Sequence, residues 1–258
     1  MAIGKVSGVE WANIASFGGV SKANIANLGG GTTPPVAAAN WSSSLFQFED
    51  QTRNTSTSTT SYWNPSNTHN AWVNGPSAVN GTYWGRTSNK TVVGWNCDDD
   101  GTASGNTGPN GGVVIPGGTH STAAASDMYL YSEVSSQGRN YCFVARMPGF
   151  NSNAEMADTK SNNLDLVFWV HAFGSQIGDL YVYIDTATTS NHSSATELAA
   201  YESFTGFTSN SSVWQQKTIS LNSYRSISNQ NHYIYFVTQN ATGFRGDLAI
   251  DGIQIIES

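Results

Sequence analysis

The stretch Leu164–Ile184, which reads LDLVFWVHAFGSQIGDLYVYI, decides the fold. Its two ends, Leu164–His171 and Asp179–Ile184, are rich in β-branched and aromatic residues that recur with a period of two. That period is typical of a β-strand, and strands favour these residue types. Glycines at 174 and 178 mark a turn between the two runs. The stretch therefore predicts two strands joined by a glycine turn.

Runs of the same kind recur at Leu45–Glu49, Met128–Tyr131, Asn140–Arg146 and His232–Val237. One further stretch, Ala195–Tyr201, fits either a short helix or a strand. Many strands without alternating helices predict an all-β fold. We expect an antiparallel β-sandwich, jelly-roll-like, preceded by an extended N-terminal anchoring segment.

The composition narrows the class of protein. Only 11% of the 258 residues are charged, 12% are aromatic, and the formal net charge is −7. A disordered chain would carry fewer aromatics and more charge, so a rigid β-protein is expected. No basic cluster points to nucleic acid, and no run approaches the ~18 apolar residues of a membrane span.

The first 30 residues contain an internal repeat. Val9–Gly19 is followed by Val20–Gly30, with Ala-Asn-Ile-Ala and Gly-Gly recurring in register. Two copies of a short repeat cannot bury their own apolar side chains. We therefore expect them to dock onto a partner, the alternative being a flexible tail whose repetition is incidental. The candidate docking residues are Trp11, Ile14, Phe17, Ile25 and Leu28.

The repeat and the strands predict three segments. Residues 1–31 form the anchor, residues 32–44 form a linker, and residues 45–258 form the sandwich. The linker begins near three glycines and contains Pro34-Pro35, so a flexible hinge precedes a stiff spacer.

Several motifs, taken in order, resemble the MAM domain family. The resemblance covers about 210 residues, and its central motif is an aromatic strand, a glycine turn and a Leu-x-Val strand at 168–183. The other matching segments are Phe48-Glu49, Thr107–Pro109, Tyr129–Glu133, Trp214–Leu221 and Gly246–Ile253. The resemblance implies a jelly-roll-like sandwich that serves in adhesion and recognition, without catalysis, in cell-surface, bacterial secreted and phage structural proteins.

The chain departs from the family in three ways. It lacks the family's disulfide set, Gly111-Gly112 stands where many members carry Asp-His, and Gly252 replaces the second Asp of the closing strand. The two cysteines, Cys97 and Cys142, are either free thiols or one disulfide. The last two departures weaken any inherited metal site.

The resemblance also implies a structural cation near the first and last strands, and Ca²⁺ is the candidate. A calcium site needs several carboxylate oxygens. The matching positions are Glu49 and Asp251, with Asp50 and Asp247 nearby in sequence. Without a cation these carboxylates would repel one another, unless Arg245 compensates them.

Other candidate chemistry is weaker. The run Asp98–Gly101 lacks EF-hand spacing and is better explained as a solvated turn, and His171 lies on an expected buried strand. A glycosidase would need paired carboxylates, which the sequence does not place face to face. The loop-rich stretch 52–118 carries aromatics that either stack on sugars or anchor the loops. The candidates are Trp63, Trp72, Tyr83 and Trp84.

These features predict a phage virion structural protein, a capsid decoration, neck or tail-fibre protein. The chain begins without an export signal, so we expect assembly in the host cytoplasm and exposure on the particle surface. Its N-terminal segment would bind other virion proteins, in a homo-oligomer or multi-copy assembly, and its sandwich would meet a host-surface glycan or protein. The alternative is a secreted or surface bacterial module for glycan binding and adhesion.

Overall fold

A computed structural model places the chain in two units, Met1–Asn40 and Trp41–Ser258. In the second unit the structure describes residues 46, 48, 72–75, 90–98, 107–109, 128–135, 140–151, 163–191, 193–210, 212–224 and 230–257, with the backbone of 113–114 and 119–120. In the first unit it describes the backbone of four short strands. No described helix is long and apolar enough to cross a membrane.

The strands of the first unit form two small hairpins. β1 (Lys5–Val6) pairs with β2 (Val9–Glu10), and β3 (Ser16–Phe17) pairs with β4 (Val20–Ser21), both antiparallel. The second hairpin follows the first at a spacing of 11 residues, which is the period of the repeat in the sequence. The strand pairs therefore recur with the period of the repeat, although each pair crosses the start of a repeat copy.

The second unit is a sandwich of mainly antiparallel sheets, and a 3-10 turn lies at Asn222–Tyr224. Its strands are β5 (Val73–Asn74), β6 (Thr91–Val93), β7 (Asn96–Asp98), β8 (Val113–Val114), β9 (Thr119–His120), β10 (Tyr129–Tyr131), β11 (Tyr141–Arg146), β12 (Phe150–Asn151), β13 (Leu164–His171), β14 (Asp179–Asp185), β15 (Thr196–Tyr201), β16 (Gln215–Ser220), β17 (Asn231–Gln239) and β18 (Ala249–Glu257).

Two sheets make up the sandwich. The five-stranded sheet has the order β16-β13-β18-β10-β7, and Phe46 bridges Ile253 beside it. The seven-stranded sheet has the order β15-β14-β17-β11-β5, with β12 added on β17 and β6 added parallel to β11. β8 and β9 form a separate hairpin. The expected antiparallel β-sandwich is confirmed.

The core between the sheets follows from the strand period. In β13 the residues at even positions are buried and face the other sheet, as the alternation predicted. Phe168 meets Phe236 at 5.2 Å between ring centroids. Trp72 packs edge-on against Phe46 at 5.2 Å and Phe48 at 5.5 Å. Aromatic rings therefore fill the centre of the sandwich, where edge-to-face packing is favourable.

The chain crosses between the sheets at Gly94-Trp95, and Asn74 holds that corner. The Asn74 side chain accepts a hydrogen bond from the Trp95 N–H and donates one to the Trp95 carbonyl, both at 2.9 Å. Gly75, with φ of +60°, lies against Gly94, where a Cβ would meet the backbone at 2.9 Å. The backbone N–H and carbonyl of the buried Trp95 are thereby both hydrogen-bonded, although this residue lies outside the strands.

The pairing of β13 with β18 contains a bulge opposite Phe168. Gly252 lies in this bulge with φ of +55°, a conformation that glycine adopts at little cost. Beside it, Phe48 has φ of +65°, which is rare for a bulky residue. The bulge gives a structural reason for glycine where the resembled family has Asp.

The structure resolves three points left open by the sequence. Within the stretch Ala195–Tyr201, Thr196–Tyr201 forms strand β15, so the helical alternative is wrong. The stretch 52–118, expected to be surface loops, contains β5, β6, β7 and β8, which are too short to show alternation. Cys97 is buried in the core between the sheets and Cys142 is buried on the outer face of the seven-stranded sheet, so the two form no disulfide. Burial raises the pKa of Cys142 to about 12.

We expect Asn74→Ala to lower the free energy of unfolding by about 3 kcal/mol, because it leaves two buried backbone groups of Trp95 without partners. Urea denaturation followed by tryptophan fluorescence measures this change. Asn163→Ala, which removes an exposed amide, should change stability by less than about 0.5 kcal/mol. Equal stability of the two variants would contradict the proposed role of the corner.

Candidate functional site

Two loops that cross from sheet to sheet run side by side at one end of the sandwich. The loop 172–178 connects β13 of the five-stranded sheet to β14 of the seven-stranded sheet, and the loop 240–248 returns from β17 to β18. We call these two loops the paired crossovers. The segments 107–109 and 202–214 join them at the same end, and the four together are the loop platform.

Gln176 connects the paired crossovers by three hydrogen bonds. Its backbone N–H donates to the Arg245 carbonyl at 3.1 Å, and its carbonyl accepts from the Thr242 N–H at 3.0 Å. Its side-chain Oε1 accepts from the Arg245 N–H at 3.1 Å. One residue therefore fixes the backbone of the opposite loop at two positions.

Glycines allow the crossovers to approach this closely. A Cβ on Gly174, whose φ is +153°, would lie 2.2 Å from the Arg245 carbonyl oxygen. A Cβ on Gly246 would lie 2.5 Å from the Gln176 carbonyl oxygen. Any other residue at either position would force the loops apart, so both glycines are requirements of the contact.

The other two segments are hydrogen-bonded onto the crossovers. The Gly108 N–H and the Thr107 hydroxyl both donate to the Phe173 carbonyl, at 2.9 and 2.8 Å. Asn210 Nδ2 donates to the carbonyls of Thr107 and Gly108, at 2.9 and 2.8 Å. The segment 202–214 is thereby linked to loop 172–178 through 107–109.

Aromatic rings hold segment 202–214 against the outer face of the five-stranded sheet. Trp214 is buried and lies 5.8 Å from Tyr129 and 5.6 Å from His171. The centroid of the Phe207 ring lies 4.9 Å from that of the His171 ring. His171 is buried among these rings, as expected for a core histidine. The segment is therefore anchored by packing as well as by hydrogen bonds.

The platform presents two large apolar side chains to solvent. Phe244 on loop 240–248 is 52% exposed and Val213 on segment 202–214 is 65% exposed, and they are the exposed large hydrophobic residues of the described chain. The Arg245 guanidinium lies 5.4 Å from the centre of the Phe244 ring. A rigid loop thus displays an aromatic ring beside a positive charge.

Two buried carboxyl groups lie beneath the platform. Asp247 Oδ1 accepts a hydrogen bond from the Val134 N–H at 3.0 Å, and Ser132 Oγ exchanges hydrogen bonds with the Leu248 backbone. Glu133 Oε1 accepts from the Ser135 N–H at 2.7 Å, and burial raises the pKa of Glu133. These bonds fasten the chain after β10 to loop 240–248, which gives Asp247 a structural role.

The four residues predicted as cation ligands fall in different places. Asp251 is buried in β18 and its Oδ1 accepts from the Gly252 N–H at 2.7 Å, whereas Asp247 lies four residues earlier and bonds to Val134. Glu49 and Asp50 lie outside the described residues. Among the described residues no group of three or more His, Cys, Asp or Glu could hold a metal ion. A Ca²⁺ site therefore stays a prediction. Arg245 stacks on Phe244 and forms no ion pair with a described carboxylate.

The other predicted site residues are placed as follows. Trp72 is 1% exposed and belongs to the core. It therefore anchors its segment to the sandwich, and a sugar cannot reach its ring. The side chains of the remaining candidates lie outside the described residues, although the backbone of Phe17 is part of β3. They are Trp11, Ile14, Phe17, Ile25, Leu28, Trp63, Tyr83 and Trp84.

Phe244 and Val213 escaped the sequence analysis. Both lie in short loops beside strong strand motifs, and nothing in the local sequence distinguishes an exposed Phe from a buried one. For Phe244 the available signal was Gly243 and Gly246, because such glycines mark a tightly turned loop that could present a side chain.

No protein-family model matches the chain, and no curated protein does. Among solved structures it is similar to the K3 cleaved adhesin domain of Lys-gingipain from Porphyromonas gingivalis W83, at 18% identity and a TM-score of 0.39, covering 62% of this chain and 90% of that one. It is similar to a Stig cyclase, FisC, from Fischerella sp. TAU, at 12% identity and a TM-score of 0.41, covering 85% and 98%. It is also similar to TmCBM61 in complex with β-1,4-galactotriose, at 10% identity and a TM-score of 0.29, covering 51% and 72%.

We expect Gln176→Ala to lower the free energy of unfolding by about 1 kcal/mol, because the Arg245 N–H loses its side-chain acceptor at a partly solvated position. The shift of the urea midpoint measures this loss. Gln216→Ala, on the exposed edge strand β16, is the matched control and should shift stability by less than about 0.5 kcal/mol. A control variant as unstable as Gln176→Ala would contradict the role of this residue.

Proposed function

We propose that the sandwich is a non-catalytic recognition module that binds carbohydrate on a surface through its loop platform. The observation that carries the proposal is Phe244, a half-exposed aromatic ring on a loop whose backbone is hydrogen-bonded to its neighbour. A large apolar side chain gains free energy when a ligand removes it from water. A rigid loop that keeps such a ring exposed is suited to binding.

The chemistry around Phe244 fits a sugar. The apolar face of a pyranose ring can stack on an aromatic ring, while its hydroxyl groups need hydrogen-bond partners close by. Arg245 provides donors beside the ring, and the exposed side chains of Ser175 and Thr242 provide hydroxyl groups on the same paired crossovers. Aromatic and arginine side chains are also those that dominate the energetics of protein contacts. The surface is therefore suited to adhesion.

Rigidity adds to affinity. Ordering a loop on binding costs free energy, and a loop that is already ordered avoids that cost. The three bonds of Gln176 and the close contacts at Gly174 and Gly246 hold the crossover in place without ligand. Most of the binding energy of Phe244 is then available for the ligand.

Two finer predictions from the sequence stay predictions. One is that the resemblance to MAM domains reflects membership of that family. The other is that residues 1–31 anchor the chain in a phage particle, which co-sedimentation of a variant lacking residues 1–30 would test. A binding sandwich with a separate attachment segment suits a surface adhesin equally well, so the proposed activity does not depend on the particle.

We expect Phe244→Ala to weaken carbohydrate binding by about tenfold or more, because stacking and burial of the ring are lost. An array of immobilised glycans identifies a bound oligosaccharide, and calorimetry with that oligosaccharide measures the affinity of each variant. Phe244→Tyr, which keeps the ring, should bind within about threefold of the unchanged chain.

Thr218→Ala, on the exposed edge of β16, is the matched surface control and should bind like the unchanged chain. Absence of any bound glycan on the array would overturn the proposed function. Equal affinity of Phe244→Ala and the unchanged chain would overturn the role of the platform.

A further inference from the structure

A second feature lies on the outer face of the seven-stranded sheet, toward the end opposite the loop platform. Arg146, the last residue of β11, is only 8% exposed, and its guanidinium carbon lies 4.7 Å from the centre of the Tyr233 ring. Tyr233 and Tyr235 belong to the neighbouring strand β17, where Arg146 pairs with Tyr235. A guanidinium thus lies over an aromatic ring on one face of the sheet.

The charge of Arg146 is not neutralised within the described chain. No described carboxylate forms an ion pair with it, and its Nε is buried without a hydrogen-bond partner. Burial lowers the pKa of Arg146, and the groups that oppose this shift are two tyrosines, Tyr235 and Tyr233. Buried arginines are normally paired, because an uncompensated buried charge is strongly destabilising.

The described acid opposite Tyr233 is hydrogen-bonded within its own loop. Asp185 lies opposite Tyr233 in the sheet, yet its Oδ1 accepts hydrogen bonds from the N–H groups of Thr186 and Ala187. Its Oδ2 accepts from the Ser190 hydroxyl at 2.5 Å. The Asp185 carboxylate therefore stabilises the turn that follows β14.

Arg146 has the hydrogen-bond donors that suit an anionic group. The N–H groups of a guanidinium lie in one plane and match the two oxygens of a carboxylate or sulfate. Gly149 lets Tyr233 sit here, since a Cβ at this position would lie 2.6 Å from the ring. The exposed surface of Gly149 leaves this edge of the site open.

We propose that Arg146 and Tyr233 form a second binding site that takes an anionic polysaccharide, with Arg146 holding its carboxylate or sulfate group and Tyr233 providing the ring beside it. The formal net charge of −7 makes the chain repel polyanions in general. Binding of such a polymer therefore requires a local cation, and Arg146 is one that no described carboxylate pairs. The site is separate from the loop platform, so the two proposals can fail independently.

Calorimetry of the full chain at 150 mM NaCl tests the proposal with three polymers: polygalacturonate, dextran sulfate and neutral dextran. We expect binding of polygalacturonate, dextran sulfate or both, which distinguishes carboxylate from sulfate ester, and no binding of dextran. Arg146→Gln should weaken binding by about tenfold or more. Arg146→Lys keeps the positive charge but lacks the planar guanidinium that donates two parallel hydrogen bonds, and it should weaken binding by about threefold or more.

Lys217→Gln is the matched control. Lys217 also lies over a tyrosine ring, at 5.4 Å from the centre of Tyr201, but its ammonium donates to Gln215 Oε1. This variant removes one positive charge from another part of the sandwich and should bind within about twofold of the unchanged chain. Failure of both anionic polymers to bind, unchanged binding by folded Arg146→Lys, or an equal loss in Lys217→Gln would each overturn the proposal.

Discussion

The hydrogen bonds between the paired crossovers are the contact on which the rest of this sandwich depends. Loop 172–178 takes the chain from the five-stranded to the seven-stranded sheet, and loop 240–248 brings it back. Because the two loops bond to each other through Gln176, they tie the central strands of both sheets together at one end. The same bonds fix the position of Phe244, so one contact serves both stability and presentation.

The sequence predicts the strands that lie centrally and are long. The run Leu164–His171 is a strand with those bounds, because eight residues of alternation leave a clear pattern. β5 and β6 stay invisible since two or three residues carry no period, and β15 has Ala and Leu where helices are also favoured. Length of the pattern decides what can be predicted.

The candidate site is predicted less well, for a physical reason. Phe244 is exposed because its loop is held by contacts with Gln176, which lies about 70 residues earlier in the sequence. No local sequence pattern contains that information. The sequence likewise does not distinguish Arg146 from other strand residues, because its contact with Tyr233 arises only from the pairing of two distant strands. Residues chosen from motifs, such as Asp247, instead serve to fasten the chain. Sites built from long-range contacts require the fold.

We expect the loop platform to be rigid before any ligand binds, and amide hydrogen exchange measures that rigidity. The amides of Gln176, Thr242 and Arg245 donate hydrogen bonds across the crossovers in the free chain. We expect all three amides to exchange at least about a hundredfold more slowly than in an unstructured chain, because each hydrogen bond must open before exchange. Exchange at the rate of an unstructured chain at these three amides would contradict it.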